Sequence, residues 1–477
     1  MYNRFDDAKL HEECGVFGVY DPEEKYDVAH LTYSALYALQ HRGQQSAGIA
    51  VNNNGQLTCH KDSGLAGEVF NEMILNYLKG QYAIGHVRYA ASGHEGRENA
   101  QPLMSKHTKG HIAISYNGSL VNAAELREKL EDNGAMFQTM SDTEIMGYII
   151  AHERLRTDST EHAIINAMDK LSGAYSLVVL CSNKMIAARD PKGMRPLCMG
   201  KIGNAVIFAS ESCAIDAVGG EFIRDIEPGE VVVAGPNGIQ SLRDKCGQKS
   251  ALCIFEHIYF ARPDSIIDGQ SVHLARQNAG KCLARRHKVD ADVVIGVPDS
   301  GLDAALGYSV ESGIPYGMGL IKNRYIGRTF IQTKQGERET LVKLKLNAVP
   351  SVVKGKRVVM VDDSIVRGTT IANLVKLLRE AGATEVHMMI ASPTFLNPCY
   401  FGTDIPSRDV LIACRLTLDE IKRESGADSL GFLAIEDLKE VAIDSKLEFC
   451  DACFTGNYPV YVAAEDPNKQ NCTGKDE

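Results

Sequence analysis

The run Val358-Val-Met-Val-Asp-Asp-Ser-Ile-Val-Arg-Gly-Thr-Thr370 is an apolar strand that stops at two carboxylates and opens into a loop of glycine and hydroxyl residues. In an open α/β sheet, ligands sit beyond the carboxyl ends of the strands. There Ser364, Gly368, Thr369 and Thr370 offer backbone N–H groups and hydroxyls to a phosphate at the start of a helix expected from near Ile371, with Arg367 in the same loop. Asp362 and Asp363 cannot bind phosphate and suit ribose hydroxyls or a divalent metal. A helix cap needs one acid. Two acids followed by Gly-Thr-Thr read instead as a sugar-phosphate cradle.

Outward from that loop, Val293-Val-Ile-Gly-Val297 and Glu385-Val-His-Met-Met-Ile-Ala391 are further continuous apolar runs separated by helical stretches. Such runs indicate an α/β unit with a buried parallel sheet over residues 253–460. Residues 14–235 follow a different grammar, with short β-rich runs such as Ala83–Val87, His111–Ser115, Ser176–Leu180 and Ala205–Ala209. Helical spacing interrupts them from Ala123 to Asn133, and again from Asp142 to Leu155 behind a Ser-Asp N-cap. This predicts an α+β, layered αββα unit. Turn formers and polar residues mark 236–252 as the linker, and 461–477 as a polar tail.

The length of 477 residues suits two to four domains, and 44% hydrophobic with 23% charged residues describe a globular protein without a membrane span. A net charge of -10 argues against a nucleic-acid surface. Residues 1–13 lack the apolar centre of a secretory signal, and 13 cysteines in so long a chain are no disulfide framework, so a cytoplasmic location is expected.

Cys14 stands where the polar leader 1–13 meets an apolar run, Gly15-Val-Phe-Gly18. If that leader is a propeptide and is cleaved, the α-amine of Cys14, with a reference pKa of about 8, becomes a general base for its own thiol. Downstream come His41-Arg-Gly-Gln-Gln-Ser-Ala-Gly48, Gly85-His-Val-Arg-Tyr89, Tyr116-Asn-Gly-Ser-Leu120 and Ser141-Asp-Thr-Glu144. Together these resemble the class II glutamine amidotransferases, the N-terminal-nucleophile glutaminases. The resemblance implies that Cys14 attacks the glutamine amide and releases ammonia. Arg88 would clamp the α-carboxylate through its fork of donors, and Asp142 would hold the α-ammonium. Asn117 and Gly118 would form the oxyanion hole. Ala91, followed by Ser92, stands where relatives usually carry threonine.

Gly296-Val-Pro-Asp-Ser-Gly301 is a second strand running into a turn, able to wrap a pyrophosphate with Asp299 and Ser300. With the Asp362-Asp363 loop it resembles the type I phosphoribosyltransferases, which displace pyrophosphate from C1 of phosphoribosyl pyrophosphate. Magnesium on Ser300, Asp362 and Asp363, with charge stabilisation and water exclusion, is implied. The basic stretch Lys322 to Gln332, carrying Tyr325 and Gly327, is the candidate closing loop; Thr333 replaces the usual proline.

The order of the two halves resembles the family of amidotransferases that join a glutaminase to a phosphoribosyltransferase; Glu256 to Ser265 matches that family's interdomain segment. The resemblance implies the first step of purine nucleotide synthesis: 5-phosphoribosylamine from glutamine and phosphoribosyl pyrophosphate, with ammonia crossing an internal channel. It also implies a homotetramer under feedback by purine nucleotides. The alternatives are a non-catalytic sensor of phosphoribosyl pyrophosphate, and a class II amidotransferase with another acceptor. Neither needs both Cys14 with its partners and a pyrophosphate-leaving ribose site.

Cys450-Asp-Ala-Cys453, taken alone, is a zinc half-site or a redox dithiol. The resemblance implies instead a [4Fe–4S] cluster on Cys253, Cys399, Cys450 and Cys453. The remaining cysteines are assigned to packing or surface.

Overall fold

The computed structural model describes residues 14–89, 96–323, 346–403 and 405–462, with the backbone alone at Thr369 and Thr370. The leader 1–13, Ala91, Ser92, Tyr325, Thr333, most of the expected closing loop and the tail beyond 462 lie outside the described residues.

Two antiparallel sheets form the amino-terminal half. The seven-stranded sheet runs in the order Glu221–Asp225, Cys198–Ile202, Ala205–Ala209, Gly15–Tyr20, Tyr82–Arg88, Ser46–Asn53, Gln56–Ser63. The six-stranded sheet runs Gly238–Leu242, Val231–Gly235, Met185–Arg189, Gly173–Leu180, Gly110–Leu120, Leu103–His107. Because side chains alternate along a strand, each sheet buries both faces. Val16 and Tyr20 meet Val178 and Met185 between the sheets. Phe17 and Val19 point the other way, onto Ala35 and Leu36 of the helix Val28–Ala38. On the outer face of the second sheet, Ile112 and Ile114 pack on Ile145 and Ile149 of the helix Asp142–Arg154. The expected αββα layering is therefore present.

The expected linker requires a correction. Gly238–Leu242 pairs antiparallel with Val231–Gly235 as the outermost strand, so the first unit extends to Leu242 rather than ending at 235.

The carboxyl-terminal half holds a four-stranded, wholly parallel sheet: Val293–Gly296, Arg357–Asp362, Glu385–Ile390, Ser429–Phe432. Val294, Val359 and Met389 face Ala279, Leu283 and Tyr308 from the helices Val272–Arg286 and Gly301–Ser312. Val293, Val358 and Met388 face Leu374 and Leu378 of the helix Thr369–Glu380. That helix starts two residues before the expected Ile371, because Gly368 takes the left-handed φ of 82° that turns the chain into it. The chain end returns to the start of this unit, where Leu252–Cys253 pairs in parallel with Phe449–Cys450.

Candidate active sites

Register sets the first site. Gly15 pairs with Val87, which brings Cys14 to the end of the strand that carries Arg88; Cys14 Sγ donates to the Tyr89 carbonyl at 3.4 Å. Arg88 is 9% exposed, donates through Nη1 to the Asn99 carbonyl, and its Nε has no partner among the described residues. Burial lowers the Arg88 pKa, opposed by attraction to Cys14 and Asp142. Asp142 opens the helix Asp142–Arg154 behind the Ser141 cap; its Oδ2 accepts from Leu120 N at 2.9 Å and from the Tyr116 hydroxyl at 3.3 Å. Burial raises its pKa, and those two donors resist the rise.

Asn117 and Gly118 lie within the strand Gly110–Leu120, not in a turn. Asn117 is 1% exposed, and neither its Oδ1 nor its Nδ2 has a partner among the described residues. Such a buried amide is costly unless something else uses it. Gly118 has φ 143°, and a Cβ there would lie 2.0 Å from the Ala174 carbonyl oxygen. Beneath them, the buried Nε2 of His86 lies 2.9 Å from the Tyr116 carbonyl, and burial pulls the His86 pKa down to about 3. The neutral ring donates there. Gln101 Oε1 accepts from Tyr116 N at 2.7 Å. The sequence motifs did not single out Tyr116, Asn99 or Gln101 as supports. Only Tyr116, adjacent to Asn117, carried any local signal.

The second site lies at the carboxyl ends of two neighbouring parallel strands. Asp362 and Asp363 are each 3% exposed. Ser300 Oγ donates to Asp363 Oδ2, Ser364 Oγ donates to Asp363 Oδ1 at 2.5 Å, and Asp363 N donates to Asp362 Oδ1 at 2.9 Å. Ser300 precedes the helix Gly301–Ser312, and the Pro298–Asp299 peptide is cis. Asp299 pairs with Lys322 Nζ at 2.8 Å. Arg367 is half-buried beside Gly368, which caps the helix that begins with Thr369 and Thr370. The structure thus brings Asp299, Ser300, Asp362, Asp363, Ser364, Arg367 and Gly368 to one sheet end. Among the described residues no three His, Cys, Asp or Glu side chains converge on a single ion. Magnesium is commonly held by one or two carboxylates and completed by substrate phosphates, so this oxygen set fits it.

The four named cysteines line one cavity, together with Arg195 and apolar residues that include Phe255, Phe395 and Phe401. Cys253 pairs directly with Cys450, and burial raises the Cys453 pKa well above its usual value, reinforced by Cys399, Cys253 and Cys450. Four cysteines around one cavity are the donor set that a [4Fe–4S] cluster takes. Among the described cysteines none is assigned to a disulfide.

The His41-Arg42 pair is tied to Glu211 and Glu256. His41 Nε2 and Arg42 Nε both lie 2.7 Å from Glu211 Oε1. Burial opposes ionisation of Glu211, but His41 and Arg42 over-compensate and hold its pKa well below the usual range. Arg42 also pairs with Glu256, and Arg189 clamps Asp268 with two bonds of 2.9 and 2.8 Å. These buried pairs join the two halves of the chain.

Comparison with known proteins matches residues 86–217 to a glutamine amidotransferase domain and residues 268–392 to a phosphoribosyl transferase domain. The amidophosphoribosyltransferase of Bacillus subtilis is 49% identical over 458 residues, covering 95% of each chain. Among solved structures, the glutamine phosphoribosylpyrophosphate amidotransferase of B. subtilis complexed with ADP and GMP is similar at a TM-score of 0.88 and 48% identity, over 95% of this chain and 98% of that one. Another, described as the allosteric regulatory enzyme of purine biosynthesis, matches at a TM-score of 0.89 and 48% identity, over 95% of this chain and 97% of that one.

Proposed function

The chain belongs to the amidophosphoribosyltransferases, enzymes that transfer ammonia from glutamine to C1 of phosphoribosyl pyrophosphate in purine synthesis, and from that premise we propose how its residues divide the work. Cys14 is the nucleophile. After removal of residues 1–13, its α-amine takes the thiol proton while Sγ bonds to the glutamine amide carbon. The oxyanion is held by the Asn117 amide and the Gly118 N–H. Collapse breaks the C–N bond, the proton returns to the leaving ammonia, and water then hydrolyses the thioester to glutamate. Arg88 and Asp142 hold the ends of the substrate amino acid.

The ammonia attacks C1 as pyrophosphate departs. Ser364, Gly368, Thr369, Thr370 and Arg367 bind the 5-phosphate, and Asp299 with Ser300 and Tyr325 contact the pyrophosphate. Asp362 and Asp363 hold the ribose and, with Ser300, would hold magnesium, whose chemistry there is to neutralise the departing charge. Cys253, Cys399, Cys450 and Cys453 would hold a [4Fe–4S] cluster that staples the chain end to the transferase core. The relative solved with ADP and GMP supports feedback by purine nucleotides. A homotetramer and a cytoplasmic location complete the reading; no described helix is long and apolar enough to cross a membrane.

The observation that supports the glutaminase half is the Asn117 amide, buried and without a partner among the described residues, together with the electrostatic attraction of Arg88 to Cys14 and Asp142. Pyrophosphate release from phosphoribosyl pyrophosphate, driven by glutamine or by free ammonia, tests it. Cys14→Ala should abolish the first reaction and leave the second; equal loss of both would refute the division into two sites.

A further inference from the structure

Among the described residues that line the four-cysteine cavity, Arg195 alone carries a formal charge outside the thiols. It is 0% exposed, and its charge acts on the Cys450 thiol. Its Nη2 donates to the Phe401 carbonyl at 2.5 Å, and its Nη1 donates to Glu256 Oε1 at 3.4 Å. Glu256, also 0% exposed, is shared: Arg42 Nη2 donates to its Oε2, and Arg42 Nη1 lies 3.4 Å from the same Oε1 that Arg195 uses. The two arginines therefore divide one carboxylate.

Arg42 leads directly to the glutamine site. The next residue, Gly43, approaches the backbone of Arg88 so closely that a Cβ would lie 2.5 Å from the Arg88 carbonyl carbon. Gln45 N donates to the Arg88 carbonyl oxygen at 3.0 Å. Any shift of Arg42 that moves Gly43 must therefore move the backbone of Arg88, since a packed interior has no slack to absorb it.

We propose that Arg195 is a positioning residue that couples the four-cysteine cavity to the Arg88 clamp through Glu256 and Arg42. The coupling rests on the reading that the cysteines hold a cluster and that Arg88 holds glutamine. A cubane cluster on four thiolates is a net anion, and in a buried, low-dielectric setting the nearest cation responds to it strongly. With the cavity filled, Arg195 is drawn between that anion and Glu256, and Glu256 is left more fully to Arg42. With it emptied, both arginines compete for Glu256, and the loop behind Arg42 loosens. A cation beside the cluster also favours the reduced form, which carries one more negative charge.

The test uses the full-length, iron-loaded enzyme with Arg195→Met and Arg195→Lys. Iron content, the midpoint potential of the cluster, the KM for glutamine and the ammonia-driven rate are read on the same preparations. Arg195→Met should raise the KM for glutamine by about fivefold or more, the low end for coupled sites. It should lower the midpoint potential and leave the ammonia-driven rate unchanged. Arg195→Lys, which keeps the charge without the fork, should hold the potential near wild type while the KM still rises. If Arg195→Met fails to fold, the lysine variant decides by its KM. Iron present with an unmoved KM and potential would overturn the coupling. Equal losses of the glutamine- and ammonia-driven rates would reduce Arg195 to a structural role and overturn it as well. A wild-type enzyme without iron would instead sink the cluster reading, and the coupling with it.

Discussion

Asn117→Ala should separate catalysis from stability. The side chain is 1% exposed and neither amide atom has a partner among the described residues; on the proposed reading the amide waits for the oxyanion, and an unsatisfied buried amide costs about 1–3 kcal/mol. Alanine removes that cost and gives up the packing of three heavy atoms, about 1–2 kcal/mol. The two nearly cancel. The melting temperature should therefore stay close to wild type, since a residual of about 1 kcal/mol in either direction moves it by about 4 °C at most at this domain size. Catalysis should respond quite differently. Loss of one oxyanion donor costs about 2.7–4 kcal/mol in the transition state, or roughly 10²–10³ in kcat. The KM for glutamine should barely change, because Arg88 and Asp142 hold the substrate's other end. Steady-state rates with glutamine and with ammonia, beside a thermal melt, check all three. A variant whose two rates fall together, or which melts well below wild type, would refute the assignment.

Gly118→Ala should destabilise by about 4 kcal/mol or more, since its Cβ would lie 2.0 Å from the Ala174 carbonyl oxygen at a φ of 143°; a soluble variant melting near wild type would contradict this. Burial lowers the pKa of His86 to about 3 and of His257 to about 4, both below the unfolded value of about 6.5. Stability from both is full above about pH 6.5 and is lost as pH falls, because the unfolded chain takes up two protons that the fold refuses. The slope approaches about 2.7 kcal/mol per pH unit, and replacing both histidines by glutamine should flatten the acid limb of a melting-temperature profile. An unchanged profile would defeat that account. On the proposed cluster reading, Cys453→Ser should strip the iron and speed proteolysis of the chain end, which is then left to the short Leu252–Cys253 pairing with Phe449–Cys450, the Cys453 carbonyl bonds to Leu396 and Asn397, and the packing of Phe454. Retained iron would exclude Cys453 as a ligand.

Much of the fold was legible because both faces of its central strands are covered. Val16 and Phe17 serve opposite faces yet both are apolar, so the strand reads as a continuous run rather than an alternation. Gly238-Ile-Gln-Ser-Leu242 was not legible. Its first four residues are exposed and it sits at the sheet edge, so nothing in its pattern separates a strand from a linker. The candidate site groups announced themselves by local need: a glycine at a backbone crossing, a Ser-Asp cap, hydroxyls at a helix start. The seam between the halves has no such local grammar. Arg42 meets Glu256 across 214 positions and Arg189 meets Asp268 across 79, and a buried salt bridge leaves no spacing rule in the chain.

That seam bears on why the two active sites share one chain. Arg42, Arg189, Arg195, Glu211 and Glu256 are each 0 or 1% exposed, and removing such charges from water costs several kcal/mol apiece before their pairing offsets it. An apolar interface of the same size would be at least as stable. It would also slide, since apolar contact has no preferred register. Ionic pairs with defined donors and acceptors select one relative position of the halves. The chemistry needs that selection, because ammonia released from glutamine must reach C1 before water protonates it, and a loosely docked pair of domains would admit water. We infer that the seam is kept for geometry rather than stability. On that account, replacing Glu256 by Gln together with both arginines that share it, Arg42 and Arg195, by Met should leave the melting temperature near wild type while more ammonia escapes per glutamine consumed. A triple variant that melts far lower, with unchanged ammonia retention, would show the reverse.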